Sequence, residues 1–248
     1  MSDILIMMGL WWAPVLLVLI AVAAAKRVKV NVGWLVTAIV VHFLYTLVLL
    51  NAGSIPPFNA IMPAGDYNWG GKLASIIASL VMLAVVVKLA PSRSFADAGL
   101  TLKQREGSVK PAVIAALAMV ALMIVLQLLA NDGPKNSAEA LAFQATMPGL
   151  DEELFNRGLL LLLLTMAITP LRRKFDPARF GWAAIFVTLL FTVAHSFFVS
   201  DGAVRFDPVI FAYVAILGGL LMYIRVRTGS IVIPVIAHNL TNVVGHLI

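Results

Sequence analysis

An all-α, polytopic membrane protein is the fold class that this sequence predicts, and three observations predict it. Apolar residues make up 61% of the 248 and charged residues only 12%, with a mean hydropathy of +0.98, beyond the range of water-soluble domains. The apolar residues gather into about eight runs, each about as long as one crossing of a bilayer needs. Basic residues alternate from loop to loop, as they do in a chain that threads a membrane back and forth.

The runs are approximately 4–25, 33–52, 72–90, 111–130, 152–171, 181–199, 208–226 and 230–248. The first carries Asp3 before it and Lys26-Arg27-Val28-Lys29 after it, the reverse of a secretory signal's charge order, so it is expected to be a retained span. Pro91, Pro170 and Pro208 stand at run edges, where proline starts or stops a helix. Trp34, Trp69 and Trp182 fall near run ends, where aromatic rings settle at the lipid headgroups. Residues 91–110 form a polar connector, with Asp97-Ala98-Gly99-Leu100-Thr101 at its centre and no recognisable chemistry. Residues 131–151 form a second connector, in which Ser137 to Thr146 is expected to make a short amphipathic helix. The chain divides into 1–110, three N-terminal spans with their connector, and 111–248, the remaining five, within a single integral membrane domain.

Of the 18 Lys and Arg residues, fourteen fall on one side: Lys26, Arg27, Lys29, Lys88, Arg93, Lys103, Arg105, Lys110, Arg172, Arg173, Lys174, Arg179, Arg225 and Arg227. By the positive-inside rule that side is cytoplasmic and both termini face out. Lys72, Lys135, Arg157 and Arg205 remain for the other side and the fifth run. A net charge of +6 then orients the chain and does not call for nucleic acid, since no long basic run interleaved with aromatics is present. Cysteine is absent, which excludes disulfides, thiol catalysis and thiolate metal sites.

The fifth run is where the pattern strains. From Gly158 to Leu171 it offers only roughly 21 Å of helix against a hydrocarbon core of ~30 Å. To span, it must take its first turns from Glu152-Glu153-Leu154-Phe155-Asn156-Arg157, which draws ionisable groups to the interface or below. Two further runs hold polar residues where lipid disfavours them: Phe191 to His195, and His238 to Asn242 after Thr228-Gly229-Ser230…Pro234. Glu153 and Arg157 are four apart and can pair along the helix; His238 and Asn242 share a face for the same reason. Counting ~1.5 Å per residue from the cytoplasmic edge puts Glu152 at roughly 28 Å, His195 at 21 Å, His238 at 12 Å and Asn242 at 18 Å. All lie within reach of one another if the helices tilt, so a single intramembrane polar site is expected.

That site suits hydrolysis. A carboxylate in a partly dry pocket is a good proton acceptor from water, a neighbouring histidine can position the water, and a second His with an Asn one turn away can hold an oxyanion. Glu152, His195 and His238 could instead hold a zinc ion with an open position, although the HExxH helix of familiar zinc proteases is missing.

Together the three motifs resemble the CAAX prenyl protease and bacteriocin-processing (Abi) family of intramembrane endopeptidases, whose pattern is EExxxR, FxxxH and HxxxN in that order. The resemblance covers about residues 111–248; the first three spans match only as generic membrane helices. It implies hydrolysis of a peptide bond, with Glu152 activating water, His195 assisting, His238 and Asn242 stabilising the oxyanion, and Glu153 and Arg157 shaping the site. Members of the family are described both as metalloproteases and as metal-free glutamate enzymes, so Zn2+ stays open here. The expected partners are a peptide or membrane-anchored protein substrate and the lipid bilayer, and the expected location is a bacterial inner membrane. Because the charge bias puts the site in the outer half, a prenylated cytosolic substrate is not expected.

Blander roles compete for each residue. Glu152 and Glu153 would also suit a helix N-terminus, and Arg157 is expected to act structurally, as the partner of Glu153. Intramembrane His and Asn can serve as packing residues between helices. Phe191 is expected to pack against His195, and His42 and His246, which match no motif, are expected to be structural or interfacial. Gly218-Gly219 is expected to permit close helix packing, and Asp201, Arg205 and Asp207 to form a solvated loop. At the level of the whole protein, the rivals are a non-catalytic bacteriocin self-immunity or scaffold protein on the same fold, and a proton-coupled carrier. Retention of all the catalytic residue types argues against the first, and the lack of an inverted repeat against the second.

Overall fold

The computed structural model of the chain describes residues 2–248 apart from 63–64, 131–132, 135, 172–180 and 201–202. Lys135, Arg172, Arg173, Lys174, Arg179 and Asp201, used above for orientation and loop assignment, lie outside the described residues. Helix dominates: α1 (Ser2–Ala24), α2 (Val32–Asn51), α3 (Trp69–Leu89) and α4 (Val109–Ala130) are followed by the short α5 (Ala138–Gln144). Next comes a broken helix of α6 (Met147–Glu152), a π-helical turn (Glu153–Leu160) and α7 (Leu161–Ala167). The chain closes with α8 (Trp182–Ser196), α9 (Pro208–Thr228) and α10 (Val232–Leu247).

Among the described residues, 5 helices are long and apolar enough to cross a membrane unaided: α1 to α4 and α9. The other three expected spans are those that carry the motifs. Helix α8 has 15 residues and α10 has 16, and the helix from α6 through α7 is broken in register by its π turn. Five of the approximately eight expected spans thus have full length, and the three that carry the motifs differ in their bounds. The expected fifth span, 152–171, begins earlier, at Met147, and stops at Ala167, where Ile168–Pro170 pairs as strand β2 with β1 (Val28–Val30). The expected sixth span, 181–199, stops at Ser196, where Phe197–Ser200 (β3) forms a hairpin with Ala203–Phe206 (β4). Strand pairing in both places satisfies backbone groups that a helix end leaves free. Arg205 lies in β4 and Asp207 caps α9, accepting from the amides of Val209 and Ile210.

The core lies around the broken helix. Phe155, Leu159, Leu160 and Leu163 are fully enclosed, packed with Phe186 and Leu190 of α8 and the inward faces of α1, α2 and α3. Burial on all sides is what a run of leucines without polar alternation should produce. His42 follows its structural expectation: its Nδ1 accepts from the Trp12 indole at 3.1 Å, and its ring lies between Trp11 and Phe155. Trp11 donates to the carbonyl of Phe197, tying α1 to the hairpin.

The connector 91–110 has a mechanical role that its composition did not disclose. Gly229, at φ 77°, closes α9 with a left-handed turn that a side chain would strain, and the connector packs against that turn. Arg105 N–H donates to Thr228 O, the Ser230 hydroxyl to Thr101 O, and Ile231 N–H to Gly99 O. Arg225, taken above as a cytoplasmic loop charge, is only 6% exposed; its Nε donates to Arg157 O and its Nη2 to Asp97 O, both at 2.9 Å. It clamps the connector to the broken helix. Replacing it by Met leaves the buried Arg157 carbonyl without this donor and releases the connector at Asp97, and is predicted to cost about 2 kcal/mol. In thermal unfolding in detergent, Arg225→Met should therefore lie well below Arg227→Met, whose side chain is exposed on the same helix turn.

Candidate active site

The site is built on one irregular turn. A π turn widens the helix by one residue and displaces carbonyls from their usual amide partners, and side chains take up the slack here. Asn156 Nδ2 donates to Glu152 O at 2.9 Å, and Arg225 Nε reaches Arg157 O. The helix is brought against α10 by Gly149, whose amide donates to Asn239 Oδ1 at 2.7 Å. A Cβ at position 149 would meet that oxygen at 2.5 Å and the carbonyl of Val235 at 2.7 Å, so only glycine allows the approach. Asn239 Nδ2 also donates to Thr146 O.

Three helices then bring the motif residues together. Glu152 Oε2 stands 3.6 Å from His195 Nε2 and 4.0 Å from His238 Nε2. The far nitrogen of each ring is engaged: His195 Nδ1 with Phe191 O at 2.7 Å, and His238 Nδ1 with Glu153 Oε1 at 2.9 Å. A carbonyl or carboxylate oxygen accepts and does not donate, so Nδ1 carries the hydrogen in both rings and Nε2 is the nitrogen turned to Glu152.

Glu153 is fully enclosed, and the same Oε1 accepts from Arg157 Nη1 at 3.1 Å, the expected pairing one turn apart. Arg157 donates from Nη2 to Gly218 O at 3.2 Å and lays its guanidinium 4.0 Å over the ring of Phe191. The Phe191 ring in turn packs on His195 with centroids 4.3 Å apart. The two glycines of α9 divide. A Cβ at Gly218 would meet Phe191 at 3.0 Å and Arg157 at 3.4 Å, whereas Gly219 faces open space and takes no part in this packing.

Asn242 lines the same cavity as Glu152, His195 and His238, a space of about 310 Å³. Its Nδ2 donates to Gln144 Oε1 at 3.0 Å, and His246 Nδ1 engages the carbonyl of Asn242. Helix α5, expected from Ser137 to Thr146, forms with Ser137 as its cap and delivers Gln144 to this point. It is held against α3 by Glu139, which accepts from the amides of Asp66 and Tyr67 and from the Trp69 indole. A second, more apolar cavity of about 300 Å³, between Trp11, Leu49, Leu50 and Phe198, opens on the other side of Glu152 and His195.

Sequence reasoning missed Lys72 and Asp151. Lys72 Nζ lies 2.8 Å from Asp151 Oδ2 and 2.8 Å from Glu152 Oε1, with only 12% of its side chain exposed. Asp151 is wholly buried and also accepts from the Tyr45 hydroxyl at 2.8 Å and the Ser75 hydroxyl at 2.7 Å. One signal was available: Lys72 opens an apolar helix at its N-terminal turn, where the helix dipole disfavours a cation, so it required an anionic partner.

Glu152, His195 and His238 are the donors that a zinc ion would need here. Ligands about 2.0–2.2 Å from a tetrahedral ion stand about 3.4 Å from one another. The separations of 3.6 and 4.0 Å from Glu152 exceed that, and its other oxygen already faces an ammonium at 2.8 Å. Among the described residues no group of three or more His, Asp or Glu side chains has metal-holding geometry. The residues as placed do not fit the ion.

Comparison with known proteins gives one match. Residues 134–244 match the family described as type II CAAX prenyl endopeptidase Rce1-like. No curated protein and no solved structure matches. The matched segment contains Glu152, Glu153, Arg157, His195, His238 and Asn242, whereas Lys72 and Tyr45 lie before it. The segment that carries all three motifs thus matches the model of the Rce1-like type II CAAX prenyl endopeptidase family, in agreement with the family those motifs resemble.

Proposed function

We propose that this protein is an intramembrane endopeptidase in which Glu152 activates water for attack on a peptide bond. The observation that carries the reading is the facing of Glu152 Oε2 by the Nε2 atoms of His195 and His238, each ring oriented through its Nδ1. A water donating one hydrogen to Glu152 Oε2 and the other to His195 Nε2 has its lone pairs free for a carbonyl carbon. As the water oxygen bonds to that carbon, its proton passes to Glu152 and negative charge gathers on the former carbonyl oxygen. Asn242 has a second amide hydrogen beyond the one given to Gln144, and His238 as an imidazolium donates from Nε2 while Glu153 receives Nδ1. Collapse breaks the carbon–nitrogen bond, and the proton held by Glu152 passes to the departing amine. Arg157 supplies the counter-charge that keeps Glu153 on His238, a positioning role.

The substrate we propose is a peptide or a membrane-anchored protein, its chain running between the polar cavity by Gln144 and Asn242 and the apolar one by Trp11 and Phe198. The proposed setting is a bacterial inner membrane with both termini outside. Because the chain has no cysteine, single cysteines report orientation without background. A cysteine at Ser2 should react with a membrane-impermeant maleimide in intact cells, and one at Lys103 only after lysis; the reverse pattern would overturn the orientation.

Purified protein in liposomes should cleave members of a library of short and prenylated peptides. Glu152→Gln and His238→Ala should lower kcat by at least about 1000-fold, and Asn242→Ala by about 100-fold, in protein that still purifies folded. A chelator should leave the rate unchanged. Cleavage that survives Glu152→Gln would contradict the mechanism, and cleavage abolished by chelator would contradict its metal-free form.

A further inference from the structure

The ammonium between Asp151 and Glu152 does more than the reading above asks of it. Glu152 presents its two oxygens to different neighbours: Oε1 to Lys72 at 2.8 Å, and Oε2 to the two imidazoles. A glutamate side chain has three rotatable bonds, and its catalytic oxygen is fixed only if the other oxygen is anchored. That anchor comes from α3, through Lys72.

Lys72 is itself held. Its stem is flexible and its ammonium could follow Glu152 through several rotamers, but Asp151 grips it from the other side at 2.8 Å. Asp151 is fixed by Tyr45 of α2 through Oδ2 and by Ser75 of α3 through Oδ1. The Tyr45 ring is stacked on Phe155 with centroids 3.7 Å apart, within the apolar core. A continuous path of contacts therefore runs from the core through Tyr45, Asp151 and Lys72 to the oxygen opposite the reacting one.

We infer that Lys72, clamped by Asp151, is a positioning residue that anchors Glu152 Oε1 and so aims Oε2 at the water between the histidines. The inference rests on the endopeptidase reading and extends its machinery to spans outside the motif-bearing segment. It assigns α2 and α3 a part in the reaction, which their generic apolar sequences do not suggest. The competing view is that Lys72 merely neutralises buried carboxylates so that the protein folds.

The absence of native cysteine permits a direct test. Lys72→Cys should lower kcat about 100-fold with KM within about threefold of wild type, the size of loss expected when a reacting group is displaced by about 1 Å. Treatment with 2-aminoethyl methanethiosulfonate, which restores an ammonium of similar reach, should recover at least about a tenth of the lost rate. The neutral methyl methanethiosulfonate should recover none. Because the single variant leaves two carboxylates without their cation and can fail to fold, Lys72→Cys is also combined with Asp151→Asn, which keeps the local charge balanced. Positioning predicts that the double variant folds, remains at least about 30-fold slow, and responds to the aminoethyl reagent alone. A double variant of wild-type kcat, or equal recovery with the neutral reagent, would overturn the inference and leave Lys72 a neutralising residue. A wild-type protein that cleaves no peptide, like Glu152→Gln, would overturn the endopeptidase reading and the inference with it.

Discussion

Carboxylates removed from water must be met by cations and hydrogen-bond donors at short range, and that constraint governs the arrangement of this membrane protein. Asp151, Glu152 and Glu153 stand in succession on one helix, and each is answered differently. Lys72 bridges the first two, and Arg157 with His238 shares one oxygen of the third. Removing one partner of such a buried pair typically costs about 3–5 kcal/mol, because the other charge is left uncompensated. The helices α3, α6 and α10 are therefore bound to one another through these charges. Their apolar faces alone would fix their register poorly in lipid, where packing lacks the hydrophobic drive present in water.

The same constraint accounts for the irregular helix. A regular α-helix turns successive side chains by about 100°, so three consecutive carboxylates point in three directions. Asp151 meets α2 and α3, Glu152 meets α3, α8 and α10, and Glu153 faces inward to Arg157 and α10. The π turn begins at Glu153, where Asn156 and Arg225 take the carbonyls it frees. Helices α8 and α10, which deliver the histidines, are shorter than the helices of the surrounding bundle. Their ends close on a hairpin and a docked connector, and His238 of α10 is buried in protein while His195 of α8 stays open to the cavities beside Glu152.

Much of this could be read in the sequence, for a definable reason. The three motifs are local, each a pair of residues one helical turn apart, and helix geometry alone gives Glu153–Arg157 and the shared face of His238 and Asn242. The depth estimate that drew Glu152, His195 and His238 into one site rested on the same rise per residue, and their nitrogen and oxygen atoms do converge within 4.0 Å. What local pattern does not encode is a partner from a distant helix. Lys72 lies 79 residues before Asp151, and Asn239 meets a glycine 90 residues away. The burial of Arg225 was not legible because the positive-inside rule counts charges without knowing whether each faces a lipid headgroup or a backbone carbonyl. The bounds of the fifth and sixth runs shifted, because a hydropathy run records where apolar residues stop, not where a π turn or hairpin reroutes the backbone.

The central claim is that Glu152 and His195 act as one unit, though they come from helices with no motif in common. A double-mutant cycle on kcat/KM tests it most directly, using Glu152→Gln, His195→Ala and the two combined against one cleaved peptide. Residues that act together on one water lose that function once, so the pair should cost about as much as the more damaging single change. Losses that simply multiply would show the two side chains working independently, and would contradict the single-site account.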